Sequence, residues 1–120
     1  MSDYFFDIET TGLNPFQNHL LTIQIKHGDD IRVWKIWDSD EITILNDFIN
    51  YLKSISSNDT IYGYNCLKFD IPFIVARLNY YDLYNAESYR LIHDKKWLDL
   101  YQFLGDNYVK IGRASCRERV

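Results

Sequence analysis

The 120-residue sequence lacks several features that mark large classes of proteins. Its two cysteines, Cys66 and Cys116, are fifty positions apart, which fits neither a disulfide framework nor the usual spacing of metal ligands. No stretch approaches the roughly 20 consecutive apolar residues of a membrane span. The N-terminus also lacks the basic and then apolar order of a signal peptide. We therefore expect a cytoplasmic protein with no membrane partner.

A surplus of positive charge is also missing. Thirteen Lys and Arg residues stand against seventeen Asp and Glu, so the formal net charge is −4 at pH 7. A nucleic-acid partner would need a local binding site, because the overall field of the chain does not attract phosphate. Apolar residues are plentiful instead, at 47% of the chain, and aromatic residues make up 17%. This composition predicts one ordered domain with a single core.

The last eleven residues differ from the rest in charge. Residues 110–120 hold four of the thirteen basic residues and one acidic residue, so residues 1–109 alone carry a charge of −7. One interpretation is a basic tail that binds a phosphate backbone. We favour another: from Ile111 onward the sequence resembles the translation of a common DNA-sequencing adapter. Residues 110–120 are then a non-native tail, and residues 1–109 are the N-terminal part of a longer domain.

Alternating apolar and polar residues predict three consecutive strands near the N-terminus. Residues 4–8 form a short aromatic and β-branched run that leads into the turn-forming residues 10–15. Residues 20–26 and 31–37 both alternate with the period of a half-buried strand. Gly28 lies between them, so we expect the second and third strands to form an antiparallel hairpin.

Helical and strand patterns alternate in the remainder of the chain. The acidic residues before Ile42 precede apolar residues at helical spacing, and we interpret them as a helix start rather than a metal site. The later elements are a strand at 60–64, a helix from Asp70 with Pro72 just inside it, a short helix plus loop within 79–94, and a strand at 96–100. The expected fold is α/β, a mixed five-stranded sheet of three antiparallel strands followed by β-α-β, with flanking helices.

Asp7 and Glu9 are two acidic residues in an otherwise apolar strand. Residues two apart in a strand point to the same face, so the two carboxylates are neighbours. Neighbouring carboxylates repel each other and cost desolvation unless a cation lies between them, which makes the pair a candidate metal site. The alternative is that the strand already ends at Ile8 and that both groups are simply solvated.

Two motifs resemble those of the DEDD family of 3′-5′ exonucleases, whose members have a ribonuclease H-like fold. Residues 6–13, FDIETTGL, resemble the first exonuclease motif. Residues 64–74, YNCLKFDIPFI, resemble the second motif in the form found in proofreading domains of family B DNA polymerases and their stand-alone relatives. The motifs occur in the order of the family, and the resemblance covers roughly residues 4–104. It implies a ribonuclease H-like domain that is C-terminally incomplete.

The resemblance implies a metal-dependent 3′-5′ exonuclease. It makes Asp7, Glu9 and Asp70 the catalytic ligands of two divalent cations, Mg²⁺ or Mn²⁺, which hold the attacking hydroxide and the leaving 3′ oxygen in line. The expected substrate is the 3′ end of single-stranded DNA or RNA. The domain is either stand-alone or linked to a polymerase domain in the same chain or a partner. For Asp70 there is an alternative, a helix N-cap.

The resemblance also implies contacts with the terminal nucleotide. The residues after Glu9 line its pocket, where Leu13 packs against the last base and stacking makes binding tolerant of sequence. Two further residues match motif positions near the active site, with turn formation and core packing as their alternatives. The implied substrate-binding residues are Thr10, Thr11, Gly12, Leu13, Asn65 and Phe69.

A fourth carboxylate is expected of this family, with a Tyr or His four or five positions before it to orient or deprotonate the attacking water. No Tyr in the sequence has an Asp four residues later, and no His has one five residues later. His93 and Asp99 come closest, one position too far apart, and we interpret His93 as a loop histidine. We expect this motif to follow residue 109 in the natural sequence. The 120-residue chain should therefore be inactive or nearly so. The alternatives are a catalytically dead nucleic-acid-binding module and an unrelated α/β domain with surface carboxylates.

Overall fold

The computed structural model describes residues 2–102, and the predicted adapter-like tail lies outside them. Five strands and three α-helices follow one another in the order expected from the sequence. A 3₁₀ turn (Ile36–Asp38) precedes the first helix, and a π-helical turn (Cys66–Asp70) precedes the second. The elements are β1 (Asp3–Thr10), β2 (Leu20–His27), β3 (Asp30–Lys35), α1 (Glu41–Leu52), β4 (Thr60–Gly63), α2 (Ile71–Tyr80), α3 (Ala86–His93) and β5 (Lys96–Asp99).

The strands form one mixed sheet in the spatial order β3-β2-β1-β4-β5. β1 pairs antiparallel with β2, and β2 pairs antiparallel with β3. β4 runs parallel to β1, and β5 runs parallel to β4. This arrangement confirms the predicted α/β class and its mixed five-stranded sheet, with β1 at the centre. Because Phe5 pairs with Tyr62, β4 ends at Gly63 beside the middle of β1, one residue before the level of Asp7.

Helix α1 covers one face of this central strand. The ring of Phe48 stacks on Phe6 of β1 at 5.4 Å, and the edge of Trp97 in β5 meets Phe6 at 5.3 Å. Tyr4, Phe6 and Ile8 are buried, whereas the residues between them are exposed. The alternation of β1 thus separates an apolar face packed on α1 from a face that carries its acidic side chains.

Local signals account for the helix starts. Asp40 caps α1, since its Oδ1 accepts a hydrogen bond from the Thr43 N–H at 2.7 Å. This confirms that the acidic cluster begins a helix. Asn85 and Ser88 form a reciprocal capping box at the start of α3, which is the short helix expected within residues 79–94. The third strand is shorter than predicted, because the chain turns into a 3₁₀ turn after Lys35.

None of the helices within residues 2–102 combines the length and the apolar character that a bilayer span requires.

Candidate functional site

Asp7 and Glu9 lie in the middle of the sheet on its solvent-facing side. β1 continues to Thr10, with Asp7 opposite Gln24 and Glu9 opposite Thr22 in β2, so the alternative that the strand ends at Ile8 is wrong. Both acidic residues are exposed and alternate with buried neighbours. Their carboxylates therefore share one face, as the sequence predicts.

Asp70 is the acidic residue of the second motif, and its carboxyl group is buried. The residue is 4% exposed, and Oδ2 is the sole buried side-chain nitrogen or oxygen without a hydrogen-bond partner in the part of the chain that the structure describes. Burial, together with the negative charges of Asp7 and Asp99, raises the pKa of Asp70 to about 7. The ionised form of this carboxyl group is unfavourable, because burial removes it from solvent and other negative charges lie nearby.

The π-helical turn at Cys66–Asp70 explains the inward position of Asp70. The turn runs directly into α2, and Asp70 already has helical dihedral angles of φ −61° and ψ −51°. Asp70 occupies the N-cap position of α2, as the alternative expected, but its side chain makes no capping hydrogen bond. The sequence does not show that helical geometry begins before the acidic residue, in a π-helical turn that ends at Asp70 and leads directly into α2.

Asp99 at the end of β5 holds this turn in place. Its Oδ1 accepts hydrogen bonds from the backbone N–H groups of Asn65 at 2.8 Å and Tyr101 at 3.0 Å, and its Oδ2 accepts one from Leu67 at 3.2 Å. Asn65 has the left-handed φ of 59° that starts the turn. The side chain of Asp99 is buried. Asp99 also matches a recurrent acidic position of the polymerase-type relatives, but the sequence assigns it no catalytic role. In the structure it supports the Asp70 turn.

Replacing Asp99 by asparagine should lower the free energy of unfolding by about 1–3 kcal/mol, because three backbone donors lose a charged acceptor. We expect this loss in urea unfolding at pH 5, where Asp70 is protonated and gains little from removal of a neighbouring charge. The exposed Asp94→Asn is the matched control. Equal unfolding curves for the two variants would contradict the supporting role of Asp99.

The connection between β1 and β2 is tightly folded. Thr10 Oγ1 donates a hydrogen bond to the Gly12 carbonyl at 2.7 Å. Thr11 Oγ1 accepts one from the His19 N–H at 3.1 Å and donates one to Asn18 Oδ1 at 3.2 Å. A Cβ atom on Gly12 would lie 2.6 Å from the Asn18 side chain, so a larger residue would displace Asn18 from its hydrogen bonds with Thr11 and Asn14.

Leu13, next in this connection, is 84% exposed. An apolar side chain that makes so little contact with its own protein is free to contact another molecule. Its predicted role against a terminal base stays a prediction, as do the predicted substrate contacts of Thr10, Thr11 and Gly12.

Asn65 and Phe69 have the structural roles that were their alternatives. Asn65 forms the turn after β4, and its carbonyl accepts the Phe69 N–H at 3.0 Å. Phe69 is half-buried and packs against the core, with its ring 5.5 Å from Phe73. Their predicted contacts with substrate stay predictions. His93 is the last residue of α3 and hydrogen-bonds through Nε2 to the Tyr84 hydroxyl at 2.8 Å, so its placement in a loop was wrong.

No group of three or more His, Cys, Asp or Glu side chains among residues 2–102 is arranged as a ready-made metal centre. The chemistry of the acidic residues nevertheless fits a divalent cation. The unpartnered Asp70 oxygen is close enough to other negative charges to raise its pKa, and carboxylate oxygens are the ligands that Mg²⁺ and Mn²⁺ prefer. The nearby Cys66 thiol does not contribute, since burial and the charges of Asp99 and Asp70 raise its pKa to about 12.

Comparison with known sequences identifies the family. The family model RNase_H_2, described as RNase_H superfamily, matches residues 4–117. The uncharacterized protein MJ0365 of Methanocaldococcus jannaschii is 32% identical over 107 residues, which are 87% of this chain and 55% of that protein. The chain thus spans about half the length of this curated relative.

Solved structures share the fold at low sequence identity. The family B DNA polymerase of Pyrobaculum calidifontis is similar over 88% of this chain and 16% of its own, with a TM-score of 0.70 and 19% identity. Escherichia coli exonuclease I in complex with a dT13 oligonucleotide is similar over 89% of this chain and 29% of its own, with a TM-score of 0.70 and 16% identity. By its sequence match and its sheet topology, the chain belongs to the ribonuclease H superfamily.

Proposed function

We propose that the protein is a metal-dependent 3′-5′ exonuclease that acts on single-stranded nucleic-acid ends. The observation that carries this proposal is the buried Asp70 carboxylate, which has an unpartnered oxygen and a pKa raised by burial and by Asp7 and Asp99. Membership of the ribonuclease H superfamily supports it. The similar fold of exonuclease I and of a family B polymerase supports it further.

Asp7, Glu9 and Asp70 are the residues that would hold the cations. Two divalent ions, Mg²⁺ or Mn²⁺, supply charge neutralisation at the phosphate and a more acidic water molecule when bound. The chain contributes two exposed carboxylates on β1 and one buried carboxylate at the start of α2. Because Asp70 is already desolvated, its interaction with a cation is stronger than that of a solvated carboxylate.

The β1–β2 connection would bind the terminal nucleotide. Leu13 is exposed and available for contact with the last base. Thr10 Oγ1 already donates its proton to the Gly12 carbonyl, so it can only accept a further hydrogen bond, and a 3′-hydroxyl is a suitable donor. Both donors of Thr11 are used within the connection, since its N–H donates to the His19 carbonyl and its hydroxyl donates to Asn18 Oδ1. Its part is to shape the connection.

Binding should depend on the cations more than on the protein's own charge. The formal net charge of the chain is −4, so phosphate is repelled until the carboxylates are neutralised. The sequence contains no Tyr or His at the required distance before a further Asp. We therefore expect the 120-residue chain to bind a 3′ end and to cleave it slowly or not at all. The absence of this Tyr or His with its Asp from the 120-residue sequence also favours a second candidate, a nucleic-acid-binding module without catalysis.

The test is fluorescence anisotropy with a 5′-labelled single strand. With Mn²⁺, a strand that ends in a 3′-hydroxyl should bind about tenfold more tightly than one that ends in a 3′-phosphate, because the phosphate adds charge and removes the donor. EDTA or Asp7→Asn should remove this binding. Asp3→Asn is the matched control, since Asp3 is also exposed on β1 but lies at its far end.

Two results would contradict parts of this proposal. Oligonucleotide affinity that is independent of Mn²⁺, of Asp7 and of the 3′ group would contradict an exonuclease function. It would favour the non-catalytic binding module. Robust trimming that Asp7→Asn abolishes would support the exonuclease but contradict the expected inactivity of the 120-residue chain.

A further inference from the structure

A buried ion pair joins α1 to α2 outside the acidic site. Arg77 Nε donates to Glu41 Oε2 at 2.9 Å, and Arg77 Nη2 donates to Glu41 Oε1 at 2.7 Å. The side chains are 9% and 7% exposed. Tyr81 adds a hydrogen bond from its hydroxyl to Glu41 Oε1 at 2.6 Å. The geometry is the bidentate one in which Arg and carboxylate interact most strongly.

The same pair holds the chain between β1 and β2, which we call the nucleotide loop (residues 11–19). Arg77 Nη1 donates to the carbonyl of Pro15, in the middle of the loop, at 2.9 Å. Glu41 Oε2 accepts the N–H of Leu20, the residue directly after the loop, at 2.8 Å. One ion pair thus fixes both the middle and the end of the loop through its backbone.

The energetics of buried charges indicate what this pair contributes. Two apolar side chains of similar volume often stabilise a core as well as a buried ion pair does, because they avoid the desolvation of two charges. Apolar side chains, however, cannot bind the Pro15 carbonyl and the Leu20 N–H. The property specific to Glu41 and Arg77 is therefore control of the loop position.

The position of Arg77 in α2 relates the nucleotide loop to the acidic site. Arg77 is seven residues after Asp70, which is about two helical turns, so the two side chains lie on the same side of α2. Helix α2 and the turn before it therefore carry the buried carboxylate at one end and the loop contact about 10 Å further along.

We propose that Arg77 and Glu41 are positioning residues that hold the nucleotide loop in a fixed position relative to Asp70. Neither residue touches the reacting atoms. The ion pair fixes the position of the loop that carries Leu13, so its loss should weaken binding of the terminal nucleotide while leaving cation binding intact. The consequence for nucleic acid rests on the proposed function, whereas the hold on the loop does not.

The test uses the whole 120-residue protein with Arg77→Lys. Lysine keeps the positive charge, but a single ammonium group cannot bind both Glu41 oxygens and the Pro15 carbonyl. Backbone amides of residues 11–20 should exchange with deuterium about tenfold faster than in the wild type, since their local opening becomes easier. Affinity for the 3′-hydroxyl strand should fall about tenfold, whereas affinity for Mn²⁺ alone should change by less than about twofold.

The control is Leu52→Ala, which removes a buried side chain at the opposite end of α1 from Glu41. It lowers global stability without touching the loop, so exchange in residues 11–20 should stay close to that of the wild type. If Arg77→Lys does not fold, Glu41→Gln replaces it, because it removes the charge that orients Arg77.

Unchanged exchange in residues 11–20 would overturn the inference, whatever the binding results. Faster loop exchange with unchanged oligonucleotide affinity would overturn the claim that the position of the loop affects nucleotide binding. A wild-type protein that binds neither Mn²⁺ nor oligonucleotide would contradict the proposed function, and the loop exchange would still decide whether the ion pair positions the loop.

Discussion

Replacing Asp70 by asparagine should make the metal-free protein more stable near pH 8, although the substitution removes a proposed ligand. The pKa of Asp70 is about 7 in the folded protein, compared with an ordinary value of 3.8. Each unit of this difference corresponds to about 1.36 kcal/mol, so the ionised carboxylate costs the folded state roughly 4 kcal/mol. The amide of asparagine has nearly the same shape and no charge. Its melting temperature in EDTA should be about 10 °C higher or more.

The sign of the pH dependence follows from the raised pKa. Below about pH 3 the carboxyl is mostly protonated in both the folded and the unfolded state, and it costs the folded state little. As the pH rises from about 4 to about 7, the unfolded state ionises first, and the folded state loses stability. The advantage of Asp70→Asn should therefore be full above pH 7 and less than about half as large at pH 5.

Thermal unfolding in EDTA at several pH values measures this difference, with the exposed Asp47→Asn as a control for charge removal. In Mn²⁺ the wild type should have the higher melting temperature, because the cation stabilises the folded state to which it binds. The variant lacks the Asp70 carboxylate and should bind the cation less tightly. A variant that is less stable than the wild type at pH 8 in EDTA would show that the Asp70 charge is balanced within the protein. That result would remove the main support for a cation site.

The second large effect is expected at Arg77. In Arg77→Met, Glu41 stays buried without its cationic partner, and we expect a loss of about 3–5 kcal/mol in the free energy of unfolding. Burial raises the pKa of Glu41, but hydrogen bonds from Arg77, Tyr81 and the Leu20 N–H outweigh it and hold the net pKa below its ordinary value. The pair therefore stabilises the protein near neutral pH. This contribution is lost as the pH falls through the lowered pKa.

A double variant separates the charge from the packing. Glu41→Leu/Arg77→Met leaves no unpaired charge, so it should recover part of the stability lost in Arg77→Met, despite the lost acceptor for the Leu20 N–H. Urea unfolding of the wild type, both single variants and the double variant completes the cycle. A double variant whose loss equals the sum of the two single losses would show that the ion pair contributes no coupling energy.

The strands and helix starts were predictable because their determinants are local. The strand β2 and the capping by Asp40 can be predicted within a few residues, and the structure contains both, although Thr22 of β2 is buried. The two predicted motifs also lie where the fold requires them, Asp7 on the central strand and Asp70 just before α2. Local patterns sufficed because the periods of strand and helix are intrinsic to the backbone.

The supporting interactions were not predictable because they join distant parts of the chain. Glu41 was interpreted as a favourable charge at a helix start, but its partner Arg77 is 36 residues later. Asp99 supports a turn that begins 34 residues before it. One signal was available, since Arg77 interrupts the apolar pattern of α2, and a charge on a buried helix face requires a partner.

Titration of the 120-residue protein with Mn²⁺ by isothermal calorimetry measures cation binding at the proposed metal site. We predict saturable binding that Asp7→Asn and Asp70→Asn each weaken by about tenfold or more, and that Asp3→Asn leaves unchanged. No binding to the wild type, or equal binding to all four proteins, would contradict a metal site formed by Asp7, Glu9 and Asp70.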